Sequence, residues 1–191
     1  NSMLSKFKLF IILIIILSVK STYSNEKFSN YKNYKKTKIK FNIEKVASKL
    51  NYPWGLSFID EENLLITEKN GRLLRVNIKN GLKKEIKHNI QSIKYDGESI
   101  AYQQGGLLDV YHHEGYIYFT YSHDFNEKIS ADNKPSKASS TAIARGRLVD
   151  NEIIDLQILL LAHPKLHINK HFGSRIAIKD DMLFVSFGER D

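Results

Sequence analysis

Chemical reach in this sequence lies with its 7 histidines, its carboxylates and a glutamine beside two glycines, because cysteine is absent. Without thiols there is no disulfide framework, thiolate metal site, cysteine nucleophile or lipidated cysteine, so any metal must sit on oxygen or imidazole. His171 is followed four residues on by Arg175. Imidazole ordinarily titrates near neutrality and can accept a proton in a transition state, although His171 taken alone reads as a loop histidine. His167 and His171 have the spacing of a helical zinc pair, but no helix is indicated around Pro164, so that reading is set aside. His112-His113 sits at a turn, His123 ends a strand beside Asp124, and His163 flanks Pro164. Asp124, Asn126, Glu127 and Asp132 could hold calcium, yet acidic loop residues are more often simply solvated, and no metal ligand is assigned. Gln104 precedes Gly105-Gly106. Its amide can donate and accept without adding charge, and the glycines allow close backbone approach; the plainer alternative is a strand-end glutamine on backbone and ordinary turn glycines.

The elements that must position these residues read as strands. From Trp54 onward, apolar runs of four to seven residues rich in Ile, Val, Tyr and Phe are cut by turn residues at close intervals. Strands are predicted over Gly55–Ile59, Leu64–Glu68, Arg72–Ile78 and Leu82–His88, with turns at Asn70-Gly71 and Asn80-Gly81. A second group covers Gly106–Tyr111, Tyr116–Ser122, Thr141–Leu148 and Ile153–Leu161, and a third opens with Gly173–Ile178 and Met182–Phe187. Gly55, Gly106 and Gly173 begin equivalent strands about 51 and 67 residues apart, the sign of a four-strand unit repeated as blades of a β-propeller. A single β-sandwich is the alternative, but its strands need not repeat in fours. Two and a half blades cannot close a ring and would leave long edges open, so the sequence is expected to continue past its C-terminus.

Charge separates the leader from the rest. The 191 residues carry a net +8, yet residues 1–49 hold 11 Lys and 2 Glu, leaving the remainder close to neutral. The strand-rich part therefore has no basic excess from which a nucleic-acid face could be inferred. Met3, Lys6 and Lys8 precede the apolar run Leu9–Val19, and Thr22 and Ser24 follow at signal-peptidase spacing. Residues 1–24 thus read as an export signal, its apolar run being too short for the roughly 20 residues of a membrane-spanning helix. Residues 25–45 read as a basic, solvated leader, and 46–191 as a partial propeller domain. The mature chain is expected to be exported, periplasmic or secreted, with no stable membrane anchor after cleavage.

Tyr52-Pro53-Trp54-Gly55-Leu56, Leu65-Ile66-Thr67-Glu68, Gly71-Arg72-Leu73 and Gln104-Gly105-Gly106-Leu107-Leu108-Asp109 carry a resemblance. So do Ser140 to Leu148, His171-Phe172-Gly173-Ser174-Arg175-Ile176 and Ser186-Phe187-Gly188-Glu189-Arg190. In this order the chain resembles the soluble glucose and sorbosone dehydrogenases that depend on pyrroloquinoline quinone, close to their aldose sugar dehydrogenase branch, over about residues 46–191. The resemblance implies an all-β, six-bladed propeller of four-stranded antiparallel blades, of which this chain supplies roughly the first two and a half. It also implies that quinone lies flat over the propeller mouth, held partly by calcium, with the calcium loop and cationic cofactor contacts in later blades.

By the same resemblance His171 matches the catalytic base that takes the proton from the sugar's anomeric hydroxyl, and Gln104 matches a glutamine beside cofactor and sugar. Gly105 and Gly106 would allow close approach at the mouth. Arg175 either supports the site or pairs with a carboxylate between blades, the second being preferred, and Trp54 is expected to pack between blades. Lys170 departs from the acidic residue that the glucose-oxidising branch carries before its base; a nearby ammonium would disfavour imidazolium, so it points away or substrate preference differs. The reading that follows is a quinoprotein oxidising aldoses to lactones, its partners an aldose sugar and an unidentified electron acceptor. Its rivals are a non-catalytic propeller binding a protein or glycan, and a calcium-dependent hydrolase of lactones or esters.

Overall fold

The computed structural model describes residues 43–93, 104–124, 138–166, 168 and 170–190. Those from Val46 onward belong to one unit, whereas Ile43–Lys45 fall in a second and are exposed coil. The expected export signal and almost all of the basic leader lie outside the described residues.

Ten strands follow one another without a helix among the described residues: β1 (Pro53–Phe58), β2 (Asn63–Glu68), β3 (Leu73–Asn77), β4 (Lys83–Ile86), β5 (Leu107–His113), β6 (Tyr116–Asp124), β7 (Ser139–Val149), β8 (Glu152–Leu161), β9 (Gly173–Lys179) and β10 (Met182–Phe187). They form a sheet β1-β2-β3-β4, a sheet β5-β6-β7-β8 and the pair β9-β10, each antiparallel between chain neighbours. This is the predicted architecture: two four-stranded blades and the opening hairpin of a third. The tight turns follow from local chemistry. Glu114-Gly115 (φ 48° and 77°) and Asp180-Asp181 (φ 50° and 59°) both place two consecutive residues in the left-handed region, which matches the right-handed twist of the strands they join.

The principal core lies between the first two sheets, where Leu65 and Leu73 meet Leu107, Val110, Ile117, Phe119 and Tyr121. A second cluster, Leu64, Ile66, Leu74 and Val76, covers the other face of the first sheet and is capped by Ala47 and Leu50. The connection after β4 crosses to the second blade: Lys87 N donates to Asn151 O at 2.8 Å and Ile153 N to Lys87 O at 2.8 Å, while Ser92 pairs with His123. Close packing of inner strands requires Gly55, where an added Cβ would stand 2.8 Å from both Asp109 Oδ1 and Leu108 O. Trp54 does not pack against the second blade. It is 47% exposed, with Lys69 Nζ 5.7 Å from its ring centroid, because β1 turns Gly55 rather than the indole toward the second blade.

Each inner hairpin is interrupted at the same place. Pairing jumps from Pro53↔Glu68 to Leu56↔Ile66, from Leu107↔Tyr121 to Val110↔Phe119, and from Phe187↔Gly173 to Val185↔Ile176. Two inner-strand residues thus face one on the partner strand, which is a β-bulge, and its extra residue loses its place in the ladder.

Candidate functional site

Inner strands β5 and β9 are entered from the same end, and the residues that lead into them meet there. Gln104, just before β5, accepts through Oε1 a hydrogen bond from His171 N at 2.9 Å. The two residues singled out in sequence are therefore neighbours, although 67 positions apart. His171 adopts φ 58°, which a residue with a Cβ reaches only when its surroundings hold it there.

Those surroundings can be named. Thr141 Oγ1 donates to Phe172 O at 2.7 Å from within the core, and the Phe172 side chain is buried. Gly173 (φ 75°) and Gly188 lie against each other's strands; a Cβ on Gly188 would fall 1.8 Å from His171 O. Arg190 stacks its guanidinium 4.0 Å from the Phe172 ring centroid and donates through Nη2 to Ile168 O (2.7 Å) and Ser139 O (3.2 Å). It thereby ties the segment before His171 to the start of β7. Burial of that guanidinium lowers its pKa, but guanidinium is so basic that it stays charged. On the β5 side, Ser122 Oγ accepts from Gly106 N at 2.5 Å. A Cβ on Gly105 would meet Ser122 Oγ at 2.6 Å, and one on Gly106 (φ 136°) would meet Lys69 O at 2.3 Å, so both glycines are needed for backbone packing.

The imidazole has a carboxylate beside it: Nδ1 of His171 lies 2.6 Å from Glu189 Oε1, a close ion-pair approach without hydrogen-bond alignment. A carboxylate at this distance places negative charge on the Nδ1 side of the ring. The sequence reading looked for an acid at position 170 and found Lys170. The structure supplies Glu189 instead, two residues beyond β10, the strand that folds back along β9. Neither Glu189 nor Arg190 is near His171 in sequence, and only the β9–β10 hairpin brings them to it.

Arg175 is not brought to His171. Its Nη1 lies 3.2 Å from Asp109 Oδ1, and Ile176 N donates to Asp109 Oδ2 at 2.8 Å, so the buried Asp109 carboxylate joins the second blade to the third. Titratable neighbours of this end are shifted by burial: the His123 imidazole and the Lys69 ammonium both have lowered pKa values because desolvation disfavours their charged forms. Among the described residues, the metal-capable group is His113, Glu114 and Asp181, with ligand atoms within 4.8 Å of one another, at the other end of β5 and largely exposed. His167, Asn126, Glu127 and Asp132 lie outside the described residues.

A family profile described as Glucose / Sorbosone dehydrogenase matches residues 50–191. The aldose sugar dehydrogenase YliI of Escherichia coli is 30% identical over 161 residues, covering 78% of this chain and 38% of that protein. A solved glucose dehydrogenase superposes with a TM-score of 0.64 at 27% identity, covering 78% of this chain and 41% of that one. The quinone-bound aldose sugar dehydrogenase of Streptomyces coelicolor shares the fold at 24% identity, with a TM-score of 0.58 over 78% of this chain and 41% of that one. The chain thus spans between 34% and 41% of the lengths of the relatives it matches.

Proposed function

The chain belongs to the glucose and sorbosone dehydrogenase family, and from that premise we propose that the full-length protein oxidises the C1 hydroxyl of aldose sugars to lactones with pyrroloquinoline quinone. The observation that carries the reading is the meeting of Gln104, His171 and Glu189 at one end of two inner strands. A carboxylate beside Nδ1 of an imidazole is the arrangement that supports a general base at Nε2.

When bound, the quinone supplies a two-electron acceptor for the hydride that leaves C1. The residues of this chain fit one side of such a group: an uncharged amide at Gln104 and a base backed by a carboxylate at His171. His171 Nε2 takes the hydroxyl proton, Glu189 offsets the charge that forms on the ring, and Gln104 holds the His171 backbone so that the ring keeps its place. Lys170 is half-buried beside this base, and with Glu189 occupying the Nδ1 side the base has an acid without an acidic residue at 170. Calcium and the cationic residues for the quinone's carboxylates belong to the later blades. The protein is exported, and its electrons pass to an acceptor outside this chain.

The test is dye-coupled aldose oxidation by the full-length protein reconstituted with quinone and calcium. Turnover is expected to saturate with quinone, to fall about 10²–10⁴-fold in His171→Gln, and to fall less far in Glu189→Gln with KM little changed. Normal turnover in His171→Gln would refute the base; a folded protein with neither quinone binding nor turnover would refute the dehydrogenase.

A further inference from the structure

The three bulges are bridged by hydroxyls in the same way. A bulge leaves one inner-strand amide without its ladder acceptor, and in each blade a Ser or Thr on the second strand takes it. Gly55 N donates to Thr67 Oγ1 at 2.9 Å, Asp109 N to Thr120 Oγ1 at 3.1 Å, and Arg175 N to Ser186 Oγ at 3.0 Å. A hydroxyl that accepts still has its hydrogen to give. Thr67 gives it to Leu108 O, and Thr120 gives it to Ser174 O at 2.7 Å. Leu108 and Ser174 are equivalent residues, each the first of the two bulged positions in the next blade.

The relay has two open ends. Among the described residues Ser186 Oγ accepts from Arg175 N and has no acceptor for its own hydrogen, and Trp54 O is the carbonyl of the first bulged position of the first blade. Thr67 and Thr120 are 0% exposed beneath the blade they bind, whereas Ser186 is exposed. The matched part of this chain is only 38% and 41% of the lengths of two relatives, so a chain of their length carries further inner strands.

We infer that these hydroxyls form one relay directed from blade to blade. Ser186 Oγ–H is the donor for a backbone carbonyl on the inner strand of the following blade, at the first of its bulged positions. Trp54 O is the acceptor for a Ser or Thr hydroxyl on the second strand of the last blade. All links point the same way, so closing the ring pairs every donor with an acceptor, and neighbouring links polarise one another. The relay fixes the stagger of successive inner strands one residue past Gly173 and Leu107, beside the segments that carry Gln104 and His171.

The test uses the full-length protein and does not depend on its reaction. A crystal structure should show Ser186 Oγ about 2.5–3.0 Å from that carbonyl, and Trp54 O at the same distance from a hydroxyl of the last blade. In urea, Ser186→Ala and Thr120→Val should both lower the unfolding midpoint, and Ser186→Thr should keep it, because threonine already serves at the other two positions. The inference is overturned by a Ser186 hydroxyl bonded to water or within its own blade, or by a Ser186→Ala midpoint equal to wild type. It is also overturned by a midpoint that rises with protein concentration, which would mean that a second copy supplies the carbonyl.

Discussion

Replacing Gly188 with alanine tests how tightly the backbone at His171 must be held for the base to work. Gly188 lies outside the left-handed region, so alanine meets no intrinsic backbone penalty there, and space alone decides the result. The new Cβ would stand 1.8 Å from His171 O and 2.5 Å from its carbonyl carbon, both main-chain atoms that no rotamer change can move aside. Restoring an ordinary contact of about 3 Å or more requires the two segments to part by roughly 1.2 Å. A shift of that size stretches the 2.9 Å bond from His171 N to Gln104 Oε1 past useful length and carries the imidazole away from Glu189. Misplacing a reacting group by about 1 Å costs on the order of 10²-fold, and overpacking adds about 1–3 kcal/mol of destabilisation. Steady-state dye reduction with a saturating aldose, together with a urea unfolding curve, should therefore show kcat reduced at least about 10²-fold in a protein that remains folded. Gly115→Ala is the control: nothing lies within 4 Å of its Cβ, so only its φ of 77° is strained and turnover should be unchanged. A Gly188→Ala protein with turnover within about threefold of wild type would refute the reasoning, since a one-ångström shift at the base is expected to cost far more.

Two further outcomes follow from buried polar groups. Thr141→Val removes the hydroxyl that donates to Phe172 O at 2.7 Å while keeping the side chain's shape. It should cost about 1–3 kcal/mol by urea titration, with Thr141→Ser recovering most of it, and equal midpoints for all three proteins would deny the bond any importance. His88 governs behaviour in acid: its Nε2 bonds Gly71 O at 2.9 Å and its Nδ1 accepts from Ile90 N at 3.2 Å, an arrangement that only neutral imidazole can satisfy. Burial lowers its pKa, so its stabilisation is complete above the unfolded value of about 6.5 and is lost as pH falls through the folded value. Urea midpoints should drop from about pH 7.5 to about pH 5, and less so in His88→Gln; an identical drop in the variant would place the acid sensitivity elsewhere, His123 being the next group shifted in the same direction.

The blades were legible because strand periodicity and turn chemistry are local. Runs such as Leu64–Glu68 and Tyr116–Ser122, with Asn70-Gly71 and Gly115 between them, specify hairpins without reference to the rest of the chain. Gln104 and His171 were found through ordered motifs, and the fold brings them together because each stands before an inner strand. Glu189 was missed as the partner of His171 for a geometric reason: it follows by 18 positions, and only the return of β10 along β9 makes the two side chains neighbours.

The crossing of Lys87 onto the second blade has a consequence for how the molecule is built. Lys87 lies one residue after β4, yet its amide and carbonyl are completed only by Asn151 and Ile153 at the turn into β8. Each sheet rests on the one that leaves the ribosome just before it, so assembly can proceed by accretion, one finished hairpin at a time, with short-range contacts leading. The backbone of Lys87, at the rim of the first blade, is thus satisfied only once the outermost strand of the second blade has been synthesised.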